Sequence, residues 1–577
     1  MAMKNITYAV PKNNKEVFID PTIQRIPEMI LANKHKINRY TGEINGIPLS
    51  VLREKTRGEV LRIAIRYTEG IRSLNQKNQL VASRYVRNGN WEEVSQHRAP
   101  EMLFMKGQEL DSGAIKDIPI IQTGHEPVFY YPGIWIKNHL IQYLASKMGG
   151  IGVNMIVDND ACKMGFMHMP VLSEIPASIR KLALIEGMDA VAYEEVVFDN
   201  VERILRFREE VLNIFKKNVL NDEIKITMKS MQSSFENFTN CVVRCYQRGC
   251  TDMVDLLSAA RCSLEADFGI SNLEIPVSWM SNTDGFYHFL LHLVSEAERF
   301  AKIYNEKLAE YRVVHKIRSK ANPLPDLKIA GNVVELPFWI WKAGGRRGRC
   351  YLRREGASVR LTDEVEDFLT FKKGESFLAN RIKLRELKHA RIKLRPRAIT
   401  ATMFSRLFFS DLFIHGIGGA KYDTITDEIV REFFGIDPPS FVTISATLFL
   451  PFDTFDVDAS TVQGLRHELK DMSYNPERYA SGESRNDEEF VHRVKEKQKL
   501  VEMMVVSNRD EKRRYFDRIG ELNRLNLVHI GPELQEKKNE IDRANIKLAC
   551  NEIVQFREYP IYLYPMNVLR EYFLHVF

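Results

Sequence analysis

The chain has 577 residues, 44% hydrophobic and 27% charged, and this ordinary globular composition excludes a disordered or collagen-like protein. Its 82 Lys and Arg against 76 Asp and Glu leave a formal charge of +6, too small over this length to point to a nucleic-acid partner. Seven cysteines at irregular spacing do not make a disulfide framework and fit a reducing compartment. The first residues lack the apolar stretch of a signal peptide, and no segment approaches 18 uncharged apolar residues. A cytoplasmic chain without a membrane span is expected.

Residues 1–115 alternate basic helical stretches with polar loops, and residues 51–88 carry Val60, Leu61, Ile65, Ile71 and Leu74 in an amphipathic helical pattern. The grammar then changes. IPIIQ (118–122), followed by Thr123-Gly124, reads as a buried strand. Pro132-Gly133 opens a helix that Gly149-Gly150 ends, and 152–160 is a second strand. Strand, helix and strand in about forty residues form a βαβ unit, the seed of a parallel sheet. Residues 201–320 read as mostly helical, and VVELPFWIW with CYLRREG reads as a hairpin. From Thr400 the α/β grammar returns, with a Gly-rich turn, a helix and the strand 441–450. Residues 486–549 are charged and helical, broken at Gly531-Pro532, and pack most simply as an antiparallel helical hairpin.

The expected class is therefore α/β: a discontinuous Rossmann-like parallel-sheet core with a helical and β-hairpin insertion and a C-terminal helical hairpin, or coiled-coil arm. The expected divisions are a mostly helical region (1–115), the first half of the core (116–200), the insertion (201–394), the second half of the core (395–480) and the arm with its tail (481–577).

Three constellations carry candidate chemistry. TGHEPVFYYPGIWIKN, from Thr123, runs from the carboxyl end of the first strand into a helix, where open α/β sheets bind ligands. Gly124 permits close approach, His125 can meet a phosphate or move a proton, and Lys137 and Asn138 can reach a negative group. A Gly-Pro-rich turn with core aromatics is the bland alternative. VDND, ending at Asp160, closes the second strand; its Asp158 and Asp160 can take hydrogen bonds from an amine or ribose, or simply form a polar turn. IHGIGGAKYD brings His415, Gly416, Gly418, Gly419 and Lys421 to a helix that Asp423 or Thr424 could cap, a pattern suited to phosphate. A tight turn needing positive φ would explain those glycines but not Lys421. Neither stretch has GxGxxG or Walker spacing.

Other features carry less. The basic stripe from Lys372 to Arg397 reads as a solvated helix face, except Arg395 and Arg397, which lead into the second α/β block. Cys241, Cys245, Cys250 and Cys262 lack metal-ligand spacing, so no metal is assigned.

The order of these motifs resembles the bacillithiol biosynthesis cysteine-adding enzyme family. Thr123, Gly124 and Lys137 match its TGQQ-type turn and following Lys; VDND matches its acidic strand end. Leu394, Arg395, Pro396, Gly418 and Gly419 match its LRP…GGP stretch, and the hairpin and helical arm take corresponding places, from about residue 118 to 450 with the arm after. The departures are His125-Glu126 for the Gln pair, a reversed Pro132-Gly133, and Ala420-Lys421 where the family has Pro and an acidic residue. The resemblance implies a nucleotide-binding fold akin to class I aminoacyl-tRNA synthetases, a coiled coil, a homodimer through the arm, and amide formation between cysteine and an amino sugar glycoside.

The leading expectation is a nucleotide-binding carbon–nitrogen ligase, with ATP or ADP as the nucleotide and the Mg²⁺ requirement open. His125, Asp158 and Asp160 are the catalytic candidates. Thr123, Gly124, Lys137, Asn138, His415, Gly416, Gly418, Gly419 and Lys421 would hold the nucleotide; Glu126, Asn159, Arg395 and Asp423 would bind a small-molecule substrate. The alternative is a non-catalytic scaffold that self-associates through the arm.

Overall fold

A computed structural model describes residues 8–75, 112–162, 165–174, 176–185, 187, 191–218, 222–482 and 487–577. An N-terminal strand β1 (Val17–Asp20) precedes helix α1 (Leu49–Ser73), whose apolar stripe includes Val60, Leu61, Ala64 and Ile71. Residues 76–88 of the amphipathic segment lie outside the described residues. Strand β2 (Ile120–His125), helix α2 (Pro132–Met148) and strand β3 (Ile151–Ile156) form the βαβ unit. Pro132 starts α2 where a missing N–H costs nothing, and Gly149 ends it at φ 61°.

Helices α3 (Asp222–Gln247) and α4 (Met253–Ala266) lead to strand β4 (Leu273–Pro276). A long strand β5 (Val333–Lys342) then opens a meander with β6 (Gly348–Glu355), β7 (Ser358–Thr362) and β8 (Asp367–Lys372). Helix α5 (Phe377–His389) follows, and strand β9 (Ile392–Pro396) returns to pair with β5. The pentapeptide RIKLR occurs in both elements. Its first copy lies inside α5; its second begins with Arg391 at φ 58° and continues as a strand because β5 supplies the pairing.

Helix α6 (Ala398–Phe404), extended by a π-helical turn (Ser405–Phe409), leads to strand β10 (Leu412–His415), helix α7 (Ile417–Phe434) and strand β11 (Phe441–Ala446). The central sheet runs β1-β11-β10-β2-β3-β4, with β1 antiparallel to β11 and every other neighbour parallel. Along the parallel strands, chain order proceeds outward from β2 through β3 to β4, then resumes on the other side of β2 with β10 and β11. The order therefore reverses between β2 and β10. This sheet is mixed α/β and mostly parallel, as expected, but its third strand β4 comes from within the segment read as an insertion.

The arm follows β11 as helices α8 (Ala459–Tyr474), α9 (Glu488–Val506), α10 (Arg509–Asn526) and α11 (Gly531–Val554), and the chain closes with α12 (Met566–Phe573). Its reversal lies at Ser507-Asn508, between α9 and α10, and not at Gly531-Pro532, which starts α11. Asn508 caps α10 and Glu511 returns the bond to the Asn508 N–H, a capping box. Helix α11 then runs back beside α8, with Lys537 paired to Glu468 and Asn551 donating to the Phe455 carbonyl.

Side chains alternate cleanly across the sheet. Ile121, Ile414 and Val442 join one hydrophobic core with α2, α4 and the C-terminal segment; Ile120, Val153, Phe413 and Met155 join a second with α1 and α7. The C-terminal segment is part of the first core: Ile561 N–H donates to Tyr130 O at 2.8 Å, and Phe573 of α12 packs on Trp135 and stacks on His139. Among the described residues no helix is long and apolar enough to cross a membrane.

Candidate functional site

Helices α2 and α7 start from the carboxyl ends of β2 and β10, the two strands between which the order reverses. They pack on opposite faces of the sheet, the arrangement that in open α/β sheets sets a ligand crevice outside the carboxyl ends of the strands. Ile414 pairs with Thr123, and the register carries Gly416 to the level of His125. The sequence-predicted TGHEP and IHGIGG segments thus meet at one place.

On the α2 side, Lys137 is 3% exposed and its Nζ donates to the Gly124 carbonyl at 2.7 Å. Burial, with no carboxylate to offset it, pushes the amine down to about 7. His125 lies beside it, its Nδ1 3.1 Å from the Glu126 carbonyl and its ring edge-on to Tyr130 at 5.5 Å. Burial first, then the Lys137 charge, push His125 down to about 3, so its imidazole is neutral at physiological pH. Glu126 accepts from the Tyr193 hydroxyl at 3.3 Å. Thr123 and Asn138 serve the scaffold: Thr123 Oγ1 donates to Ile414 O at 2.8 Å across the reversal, and Asn138 Nδ2 donates to Glu265 at 2.7 Å. Asn138 is thereby turned into a buried network in which Arg261 bridges Glu265 and Glu274. Cys262 lies within 4.8 Å of those two carboxylates, in a space whose positive charge is the Arg261 guanidinium.

On the α7 side the glycines are not a positive-φ turn. Gly416 is extended at φ −77°, and Gly418 and Gly419 lie in the first turn of α7, which has no side-chain cap. Among the described residues no side chain caps its first N–H groups, the arrangement that favours an anion. A Cβ at Gly418 would meet nothing within 4 Å, whereas one at Gly419 would sit 2.9 Å from His415 Nδ1. His415 and Asp423 bond each other at 2.7 Å, and Asp423 also takes Arg406 at 2.7 Å and Thr402 at 2.9 Å. Burial would raise the Asp423 carboxyl, but Arg406 and His415 hold it well below the usual range. Asp423 lies nearly two turns inside α7 and braces the helix instead of capping it. Lys421 is exposed and makes no ion pair among the described residues.

The VDND segment, beyond β3, meets the β5–β6 turn and β9. Asp158 accepts from Ser278 N–H at 2.9 Å and from the Ser278 hydroxyl; burial and Glu194 push it up to about 7. Asn159 Nδ2 donates to Pro396 O at 2.6 Å, and Asp160 pairs with Arg347 at 2.7 Å. Arg395 clamps Glu194 through two bonds at 2.9 and 3.0 Å, and Lys393 joins at 3.1 Å. Arg347 and Arg397 both stack on the Trp339 ring, 4.2 and 4.3 Å from its centre. Asp158, Asn159, Asp160 and Arg395 are thus brought together, but each is held by protein partners.

Sequence reasoning missed Glu194, Arg347, Trp339 and Arg406. GGRRGR was the only signal for Arg347; nothing local marks the others. The basic stripe is partly neutralised, with Arg381 and Arg385 on Asp284 and Lys383 on Glu375. Cys241 and Cys245 share a helix face and donate to Asn75 at 2.8 and 3.3 Å. A surface groove of about 600 Å³ lined by Glu298, Arg299, Lys302 and Arg354 also takes in Glu432, near the C-terminal end of α7 and so at the opposite end of that helix from Gly416. No family model matches the chain, and no curated protein matches it.

Proposed function

We propose that the crevice between β2 and β10 binds a nucleotide and that the chain is a ligase-like enzyme on a Rossmann-like core, joining a carboxylate to an amine. One observation carries the reading: at the reversal of strand order the buried Lys137 amine, with no carboxylate partner among the described residues, is tied to the end of β2, and α7, which follows the neighbouring strand β10, starts without a side-chain cap. An anion entering there would take the α7 N–H groups, and its charge would draw a proton onto Lys137. The exposed Lys421 adds a mobile cation one turn further on. The cysteine-adding family that the motif order resembles implies amide formation; with ATP, the substrate carboxylate would attack the α-phosphorus and release pyrophosphate, and the amine would then attack the acyl carbon, expelling AMP and losing a proton. His125, neutral and beside Lys137, is the group to orient the phosphate; Asp158, just beyond β3 and with its carboxyl pushed up by burial, is the acid–base candidate. Isothermal titration with ATP and ADP, with and without Mg²⁺, tests the reading; the expected result is saturable binding that Lys137→Met weakens at least tenfold.

A second reading is favoured by the arm. Val505, Val506 and Phe516 at the α9–α10 end are 78%, 88% and 59% exposed, an apolar surface suited to self-association. Val505→Glu/Phe516→Glu would then lower the mass in solution, and an unchanged mass would remove this reading.

A further inference from the structure

Gln122 is the third residue of β2 and is 0% exposed, yet neither its Oε1 nor its Nε2 has a hydrogen-bond partner. Several buried amides leave one atom unmatched, such as Asn138 and Asn159, but each of these is anchored by its other end. Among the described residues only Gln122 leaves both orphaned. A buried amide without partners is costly to keep, so a donor and an acceptor are called for at this position.

The place in the sheet says what supplies them. Gln122 pairs in register with Val153 and Phe413 and shares their face, the α7 side. Toward the carboxyl end, the next residue of β2 on that face is Gly124, about 7 Å further at the usual strand rise. There is no side chain at Gly124, and the space a Cβ would take is covered by the Met155 thioether, whose Cε lies 2.9 Å from it. Met155 is unbranched and accepts only a Ser405 hydroxyl at 3.6 Å, from the first residue of the π-helical turn. Beside it, His415 is fixed by Asp423 under the first turn of α7. Gln122 is therefore a matched donor and acceptor on the α7 face of β2, one step below Gly124, where the Met155 thioether fills the space beside the strand end.

The geometry points to Gln122 as the residue that reads the nucleobase: with Met155 displaced, its carboxamide forms paired hydrogen bonds with an amino group and the adjacent ring nitrogen, as adenine presents them. The phosphates then lie toward the α7 N-terminus. This rests on the nucleotide reading of the same crevice and adds the group that gives it selectivity.

The test compares ADP with inorganic pyrophosphate, which has no base, on the wild type, Gln122→Leu and Gln122→Met by isothermal titration, with urea denaturation of each free protein. The expected result is a loss of tenfold or more for ADP in both variants, unchanged pyrophosphate affinity, and free variants at least as stable as the wild type. Equal ADP affinity in wild type and variants overturns the assignment of Gln122 while leaving the crevice as a nucleotide site. A wild type that binds neither ligand overturns both. Variants that lose stability or fail to fold show that Gln122 serves the fold through a resident partner, which also overturns it.

Discussion

Lys137 donates to the Gly124 carbonyl at 2.7 Å, tying the second turn of α2 to the end of the strand it follows. A charged amine would satisfy that carbonyl equally well, but burial without an opposite charge favours the neutral form. The folded state thus holds the amine neutral down to about 7, against an ordinary 10.5 when unfolded. The linked stability is complete above the unfolded value and is lost as pH falls toward 7. The stability of wild type relative to Lys137→Met should therefore rise between pH 7 and 10, with a slope of about 1.4 kcal/mol per pH unit. Urea denaturation of both proteins at the two pH values checks it; a flat difference contradicts the buried neutral amine.

Asp158 has the opposite sign. Its folded value of about 7 lies above the ordinary 3.8, so its contribution is complete below 3.8 and is lost as pH rises through 7. Asn at this position imitates the protonated acid: its Oδ1 can keep the Ser278 N–H bond, and its Nδ2 can donate to the Ser278 hydroxyl oxygen in place of accepting from it. Asp158→Asn should match the wild type near pH 4 and exceed it by about 1 kcal/mol or more at pH 8. If Asp158 is the acid–base group, the more stable variant is also the inactive one. A variant less stable at pH 8 would contradict the buried, proton-binding carboxyl.

The sequence made the β2–α2–β3 unit legible because each signal was local: an apolar run, Pro132 at a helix start, Gly149 at its end. Lys137 and His125 followed from position alone. Strand β4 was missed because its four residues, LEIP, place Glu274 in the centre, and Arg261 from α4 with Asn154 from β3 makes that burial tolerable. The arm's turn was misplaced because Gly531-Pro532 outweighed the Asn508–Glu511 capping box, although the box was equally visible. His415 and Asp423 were assigned to ligands because Arg406, which engages Asp423, comes from the preceding π-helical turn and carries no pattern of its own. Gln122 stood in a strand as an ordinary polar residue; its lack of partners is a property of the fold.

The two glycines at the start of α7 should respond differently to alanine. Gly418→Ala adds a methyl where nothing lies within 4 Å and removes a flexible residue from a helix, so it should stabilise by about 0.5–1 kcal/mol. Gly419→Ala would press on His415 at 2.9 Å and should destabilise. Thermal denaturation separates them; the same sign for both would contradict the close approach of His415 to the helix.

The Arg395 and Glu194 side chains are both buried, and their paired hydrogen bonds join β9 to the region beyond β3. Although burial opposes it, Arg395 and Lys393 hold the Glu194 carboxyl below its ordinary value. Arg395→Ala leaves that carboxylate short of a partner and should cost about 3–5 kcal/mol. Glu194→Gln in the same chain should recover part of the loss. Chemical denaturation of the single and double variants measures this, and additive losses would show that the two side chains are not coupled.

The central claim is that the reversal between β2 and β10 is a nucleotide site, and the most direct measurement is titration of the full chain with ADP and ATP, with and without Mg²⁺, in wild type and Lys137→Met. The account predicts saturable binding to the wild type and at least a tenfold loss in the variant, about 1.4 kcal/mol. Absence of binding to the wild type, or equal affinity in both proteins, would contradict it.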